Sequence, residues 1–327
     1  VKKIVLMISI TVCFWACYDS NGHDGAEKKS KTADIQNSLT DILAENYQIE
    51  EFASGFGFLE GPIWDVRENR LIFSDVSGNK LHQWTSDNGV SVFLEPSNFA
   101  GGNTFDAVGN IISCQGGIRS LGIIRKDGKA EVLVSEFDGK KFNSPNEVVV
   151  KKDGTIWFTD PDYGLLAAYG EKASEYRELD KYHIFRYNPK SKEIVSVYTD
   201  LSKPNGLVFS KDERHLFVGN SMENDRKLIR FDVDESNSLQ NMVVLSGIES
   251  KTWGIDGLKM DVNENLYAAC GDGVNIFHKS GHLIGKINTD FEVTNLCFGG
   301  ENGKTLFITG HHSLYKVELL IAGVSRI

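Results

Sequence analysis

The sequence predicts an all-β fold, a six-bladed β-propeller with four-stranded antiparallel blades. Three observations predict it. A strand–turn–strand unit recurs six times, at intervals of 41, 45, 59, 51 and 39 residues. Gly is abundant (32) and Pro scarce (6), and aromatics reach 10%, a composition suited to many short strands joined by tight turns. No stretch beyond the N-terminal leader carries a convincing amphipathic-helix period. Self-similarity at this period is the signature of a repeat architecture, and four strands in each of six units make a propeller.

The units, in order, are EGPIWDVRENRLIFSD from Glu60, GGNTFDAVGNIISCQ from Gly101, NEVVVKKDGTIWFTD from Asn146, NGLVFSKDERHLFVGN from Asn205, DGLKMDVNENLYAAC from Asp256 and NLCFGGENGKTLFITG from Asn295. Each is followed by weaker strands, such as KLHQW, YHIFRYN, KLIRFDV and GVNIFHK. The longest interval holds the polar stretch 164–182, which matches no repeat strand; a lid over one face is the expectation there.

Before the repeats, two lysines precede the apolar run Ile4–Ala16, of signal-peptide length and too short for a bilayer span. The run ends FWAC, which resembles a lipobox. A lipoprotein signal over 1–17, lipidated at Cys17, is favoured over a plain secretory signal with an incidental cysteine. A polar tether is expected over 18–46 and the propeller over 47–327. The protein would then be exported to a bacterial cell envelope, facing the periplasm or the cell surface, and would touch membrane only through the anchor. Cys114, Cys270 and Cys297 remain in the folded part. An odd number excludes a complete disulfide framework, and each lies in an apolar run, so small buried thiols are expected.

The net charge is −10 with no basic cluster, which argues against nucleic acid. The near-P-loop GGENGKT is one residue short and followed by the strand LFIT, not a helix. HExxH, GxSxG and CxxC are absent. His311-His312 read as solvated loop residues, with a channel base as the alternative. Asp160, Asp162 and Tyr163 could line a pocket or simply end a strand.

In a propeller the first strand of each blade is innermost, so the six lead residues would converge on one channel mouth. Singly, Asn-Gly and Asp-Gly are turn dipeptides. In register they form a ring of oxygen donors, which suits a hard divalent cation. Glu60, Asn146, Asn205 and Asp256 make four ligands carrying two charges. The metal expected is Ca²⁺, with Mg²⁺, Mn²⁺ or Zn²⁺ as alternatives.

The stretches LEGPIW, TFDAVGNII, FNSPNEVVVKKDGTIWFTDPDYGL, KPNGLVFS, GIDGLKMD and TNLCFGG resemble the gluconolactonase/regucalcin family over roughly 55–320. The resemblance implies a divalent metal held by a Glu, two Asn and an Asp, which fall on the same four residues. It implies hydrolysis of a sugar lactone by a monomer, with Asp256 as candidate catalytic base. Hydrolysis of another ester or organophosphate, or non-catalytic sugar or calcium binding, stays open. Departures cluster in the substrate shell. Gly101 and Asn103 stand where bacterial members have Asn and Leu, CQGG (114–117) replaces CEHG, and Ser144 replaces the Arg of the animal branch. Ser144, Asn103 and Asn295 are the candidate substrate contacts.

Overall fold

The computed structural model describes residues 38–249 and 253–324. The leader, Cys17 and the tether as far as Asn37 lie outside them. Six four-stranded antiparallel sheets are arranged as the expected propeller. In blade 1 the inner strand Leu59–Asp65 pairs outward through Arg70–Asp75 and Lys80–Thr85 to Gly89–Leu94. Blades 2 to 5 repeat this order. Blade 6 is closed from a distance, because its outermost strand is the N-terminal Glu50–Ser54, paired with Ser313–Glu318. The repeat pattern did not reveal this closure, since the strand that completes blade 6 lies at the other end of the chain.

Each inner strand packs against those of its two neighbours, which closes the circle. The core is correspondingly divided into six apolar clusters, one per blade interface. Second strands are apolar on both faces for this reason. Ile156–Asp160 and Leu266–Cys270 are buried throughout, each face covered by an adjacent blade. Cys114, Cys270 and Cys297 are buried and unpaired. Burial pushes the Cys270 and Cys297 thiols up to about 12, so both stay protonated and inert.

Two segments depart from expectation. The helix α1, Leu39–Ile42, lies within the stretch read as tether. Asp41 accepts a hydrogen bond from Ser38 N at 2.8 Å, and Ile42 and Leu43 are buried in the cluster between blades 5 and 6. The described part of that stretch is therefore part of the packed body. In the long interval, Tyr163–Tyr169 forms the helix α2, continued by 3-10 turns over Gly170–Tyr176. Buried Leu165 and Ala173 fix it to the propeller, and Tyr169 stacks on Tyr176 at 3.7 Å. One short turn anchored by a few contacts leaves little periodic trace in sequence.

Ile42→Ala should lower the unfolding free energy by about 2–4 kcal/mol in urea titration; a change below about 0.5 kcal/mol would place α1 outside the cooperative fold.

Candidate functional site

The site begins with a shared local device. The residue ending the second strand of a blade accepts backbone hydrogen bonds from the loop that enters the inner strand. Asp75 accepts from Gly57 N and Phe58 N, both at 3.1 Å. Asp160 accepts from Asn143 N and Ser144 N, both at 2.8 Å. Asn220 Oδ1 accepts from Lys203 N at 2.8 Å. All three side chains are buried. Burial pushes Asp160 up to about 7, although both backbone donors favour its charged form. Two or three residues after each clasped position come Glu60, Asn146 and Asn205.

Strand register locates the ring. Ile63, Thr104, Val149, Val208, Lys259 and Cys297 pair with equivalent second-strand residues. Three residues before them stand Glu60, Gly101, Asn146, Asn205, Asp256 and Thr294. Asn295 is therefore one residue out of register as the sixth lead, which corrects the sequence alignment. The offset comes from NLCF imitating NGLVF one residue late; the irregularity between Val293 and Asn295 has counterparts in blades 1, 2 and 4. Thr294, the true equivalent, donates from Oγ1 to Leu59 O at 2.7 Å and ties blade 6 to blade 1.

Asn295 belongs to the next layer down the channel, with Glu147. Its Nδ2 donates to Glu60 Oε2 at 2.8 Å and to Glu147 Oε1 at 2.7 Å. Lys259 Nζ lies 3.6 Å from Glu147 Oε2. The other four blades have glycine in this layer: Gly61, Gly102, Gly206 and Gly257. A Cβ on Gly257 would stand 2.1 Å from Asn295 Oδ1, and one on Gly102 2.7 Å from Glu147 Oε1, so the glycines make room for the two polar side chains.

Glu60, Asn146, Asn205 and Asp256 all line one cavity of about 670 Å³. Burial and the Glu147 charge raise Glu60 above the usual carboxylate range. Burial and the charges of Glu60 and Glu147 raise Asp256. Asn205 is buried, its amide hydrogen-bonds Asp256, and its Oδ1 lacks a protein partner. Two mutually repelling carboxylates, two amides and an unpartnered buried oxygen fit a hard dication. Among the described residues no three His, Cys, Asp or Glu side chains gather as a metal group; this set instead mixes two acids with two amides.

The remaining candidates separate. Ser144 lines the cavity, and its Oγ accepts from Gly164 N at 3.0 Å. Asn103 and Asn295 do not line it, which corrects their reading as substrate contacts. Asn103 Nδ2 bonds Gly61 O at 2.9 Å and Ser74 Oγ at 2.8 Å, joining blades 1 and 2. Asp162 is held by Lys203 at 3.0 Å and by the Tyr182 hydroxyl at 2.7 Å. Tyr163 lines the cavity, and burial, then the Asp256 charge, raises its phenol, so it stays a donor. His312 Nδ1 bonds Phe56 O at 3.0 Å, whereas His311 stacks behind the wall residue Trp253 at 5.3 Å. The expected lid supplies a cavity wall through α2. Glu147 and Trp253 escaped the sequence reading; the first looked like part of a strand, the second lies between units.

Residues 58–312 match the SMP-30/Gluconolactonase/LRE-like region. A gluconolactonase of Zymomonas mobilis is 33% identical over 303 residues, covering 85% of this chain and 83% of that one. A solved gluconolactonase structure from Xanthomonas campestris superposes with a TM-score of 0.78 at 30% identity, covering 86% of this chain and 92% of the other. A calcium-binding protein, regucalcin, from Agrobacterium tumefaciens shares the fold with a TM-score of 0.68 at 16% identity, covering 84% and 96%.

Asp160→Ala strands two buried backbone donors and should destabilise by about 2–5 kcal/mol in urea titration; Asp160→Asn, which keeps an acceptor, should lose less. Glu60 also carries a pH signature. Its folded pKa lies above its ordinary 4.5, so the folded state holds the proton longer than the unfolded chain. Its contribution to the stability of chelated protein should therefore fall as pH rises above 4.5. Relative to Glu60→Gln, the chelated chain should lose melting temperature across that range, and a flat difference would contradict the assignment.

Proposed function

The chain belongs to the SMP-30/gluconolactonase/LRE-like family, and from that premise we propose that it hydrolyses lactones with a divalent metal held by Glu60, Asn146, Asn205 and Asp256. The observation that carries the metal reading is the ring itself, in which buried Asn205 Oδ1 has no partner and two acids are raised together. Calcium is the favoured ion; a ring made wholly of oxygen donors, two of them neutral, matches its preference.

When bound, such an ion supplies charge stabilisation to a carbonyl oxygen that becomes negative under attack. The chain's residues do the rest. Asn295 holds Glu60 in place through its amide. Asp256, partly open to the cavity, accepts a hydrogen bond from a water and aims its oxygen at the carbonyl carbon. A carboxylate beside a dication is a weak base, so orientation is its larger role. The water oxygen bonds to the carbonyl carbon and the ring C–O bond breaks. The water's proton ends on the departing alkoxide, giving the hydroxy acid. The Tyr163 phenol stays protonated and can donate within the same cavity.

Chelation should abolish hydrolysis of a lactone panel, and Ca²⁺ or Mn²⁺ should restore it. Asp256→Ala should lower kcat by at least about 100-fold while a lactone still binds. Failure of every lactone with every divalent ion would sink the reading.

A further inference from the structure

We infer that the lactone taken by this site carries an aryl or alkyl arm in place of a full set of ring hydroxyls. The inference rests on the lactonase reading and adds the substrate class.

Above the ring, the cavity is walled by Phe58, Val76, Phe99, Tyr163, Ala167 and Trp253. Its only charged lining residues, among those described, are Glu60 and Asp256, both assigned to the metal. Few polar groups are left for a polyol. Ser144 Oγ accepts from Gly164 N and Ser221 Oγ donates to Ile255 O, which leaves the Ser144 O–H, Ser77 and the Tyr163 phenol to meet a polyol. The indole N–H of Trp253 is spent on Val293 O at 3.2 Å, so it presents ring and not a donor. A polyhydroxylated lactone would lose water from more hydroxyls than these few groups can match, whereas an apolar arm would bury against carbon.

Phe99 is built for this place. It holds φ 55, a left-handed conformation that bulky residues rarely adopt. Its turn is fixed on both sides. Asn79 Oδ1 accepts from Phe99 N at 2.8 Å, and Phe99 O accepts from Gly116 N at 3.2 Å. The ring leans over Gly117, where a Cβ would stand 2.4 Å from Phe99 Cδ2, yet Phe99 remains 47% exposed. A strained turn that keeps an aromatic ring uncovered at a cavity wall indicates a ligand surface. Gly116 stands where CEHG sequences have His. A Cβ there would already be 3.2 Å from Ser144 Oγ, so the glycine keeps that wall open and without an imidazole.

The test uses the full chain loaded with calcium. Initial rates are measured on γ-phenyl-γ-butyrolactone, δ-nonalactone and glucono-1,5-lactone, and binding of 5-phenyl-2-pyrrolidinone, a non-hydrolysed lactam, is measured by calorimetry. The phenyl or alkyl lactone should exceed gluconolactone in kcat/KM by about 10-fold or more. Phe99→Ala should raise KM for the phenyl lactone and weaken lactam binding by about 5–10-fold, a larger change than it makes to the KM for gluconolactone. A preference for gluconolactone, or equal effects of Phe99→Ala on both substrates, would overturn the inference while lactone hydrolysis stood. Lactam binding that depends on Phe99 without turnover of any lactone would keep the apolar preference and remove the hydrolase reading.

Discussion

The site depends on a hydrogen bond that is not part of it. Asp75, Asp160 and Asn220 end their second strands and reach back to the backbone N–H groups of the loop entering the inner strand. Those groups are buried or half-buried and would otherwise lack protein acceptors. Satisfying them fixes the chain two or three residues before Glu60, Asn146 and Asn205. Side chains that converge on one point must be held to within about 0.5 Å, and a clasped backbone provides that better than a free loop. Blade 5 has Cys270 at the clasping position. Asp256 is instead placed by the ladder itself, its N–H donating to Ala269 O at 2.8 Å and Ala269 N to Gly257 O at 2.9 Å.

With the ring fixed, charge becomes the next constraint. Glu60, Asp256 and Glu147 share one buried channel with a single nearby cation, Lys259. The Asn295 amide donates to Glu60 Oε2 and Glu147 Oε1 at once, which ties the two acids together but neutralises neither. Beyond burial, the Glu147 charge raises Glu60, and the charges of Glu60 and Glu147 raise Asp256, an arrangement relieved either by protons or by a dication. Asn146 and Asn205 suit the second solution. They add oxygen donors without adding repulsion, where two more carboxylates would over-compensate two positive charges.

The blades and the four donors were legible in sequence because both repeat, and a repeat-equivalent position carries more information than any local motif. What escaped was whatever broke the repeat. In the sixth unit NLCF imitates NGLVF one residue late, while Thr294 occupies the lead position. Glu147 reads as the start of a β-run, and only the glycines at equivalent positions show that it points into the channel. The strand Glu50–Ser54 closes blade 6 through pairing across almost the whole chain, which no local pattern reports. Helix α2 is held by tertiary burial of Leu165 and not by its own propensity.

The two parts of the cavity thus come from different sources. Its floor is made of repeat positions, locked by register and clasp, where a change of residue disturbs the propeller's axis. Its walls come from segments outside the repeat: the strained turn at Phe99, the helix in the longest interval, and Trp253 ahead of blade 5. Those segments can alter without shifting any inner strand. The chemistry is consequently tied to the fold, whereas the choice of lactone is not. Phe99, Gly116 and Ser144 meet at one side of the cavity and so act as one surface.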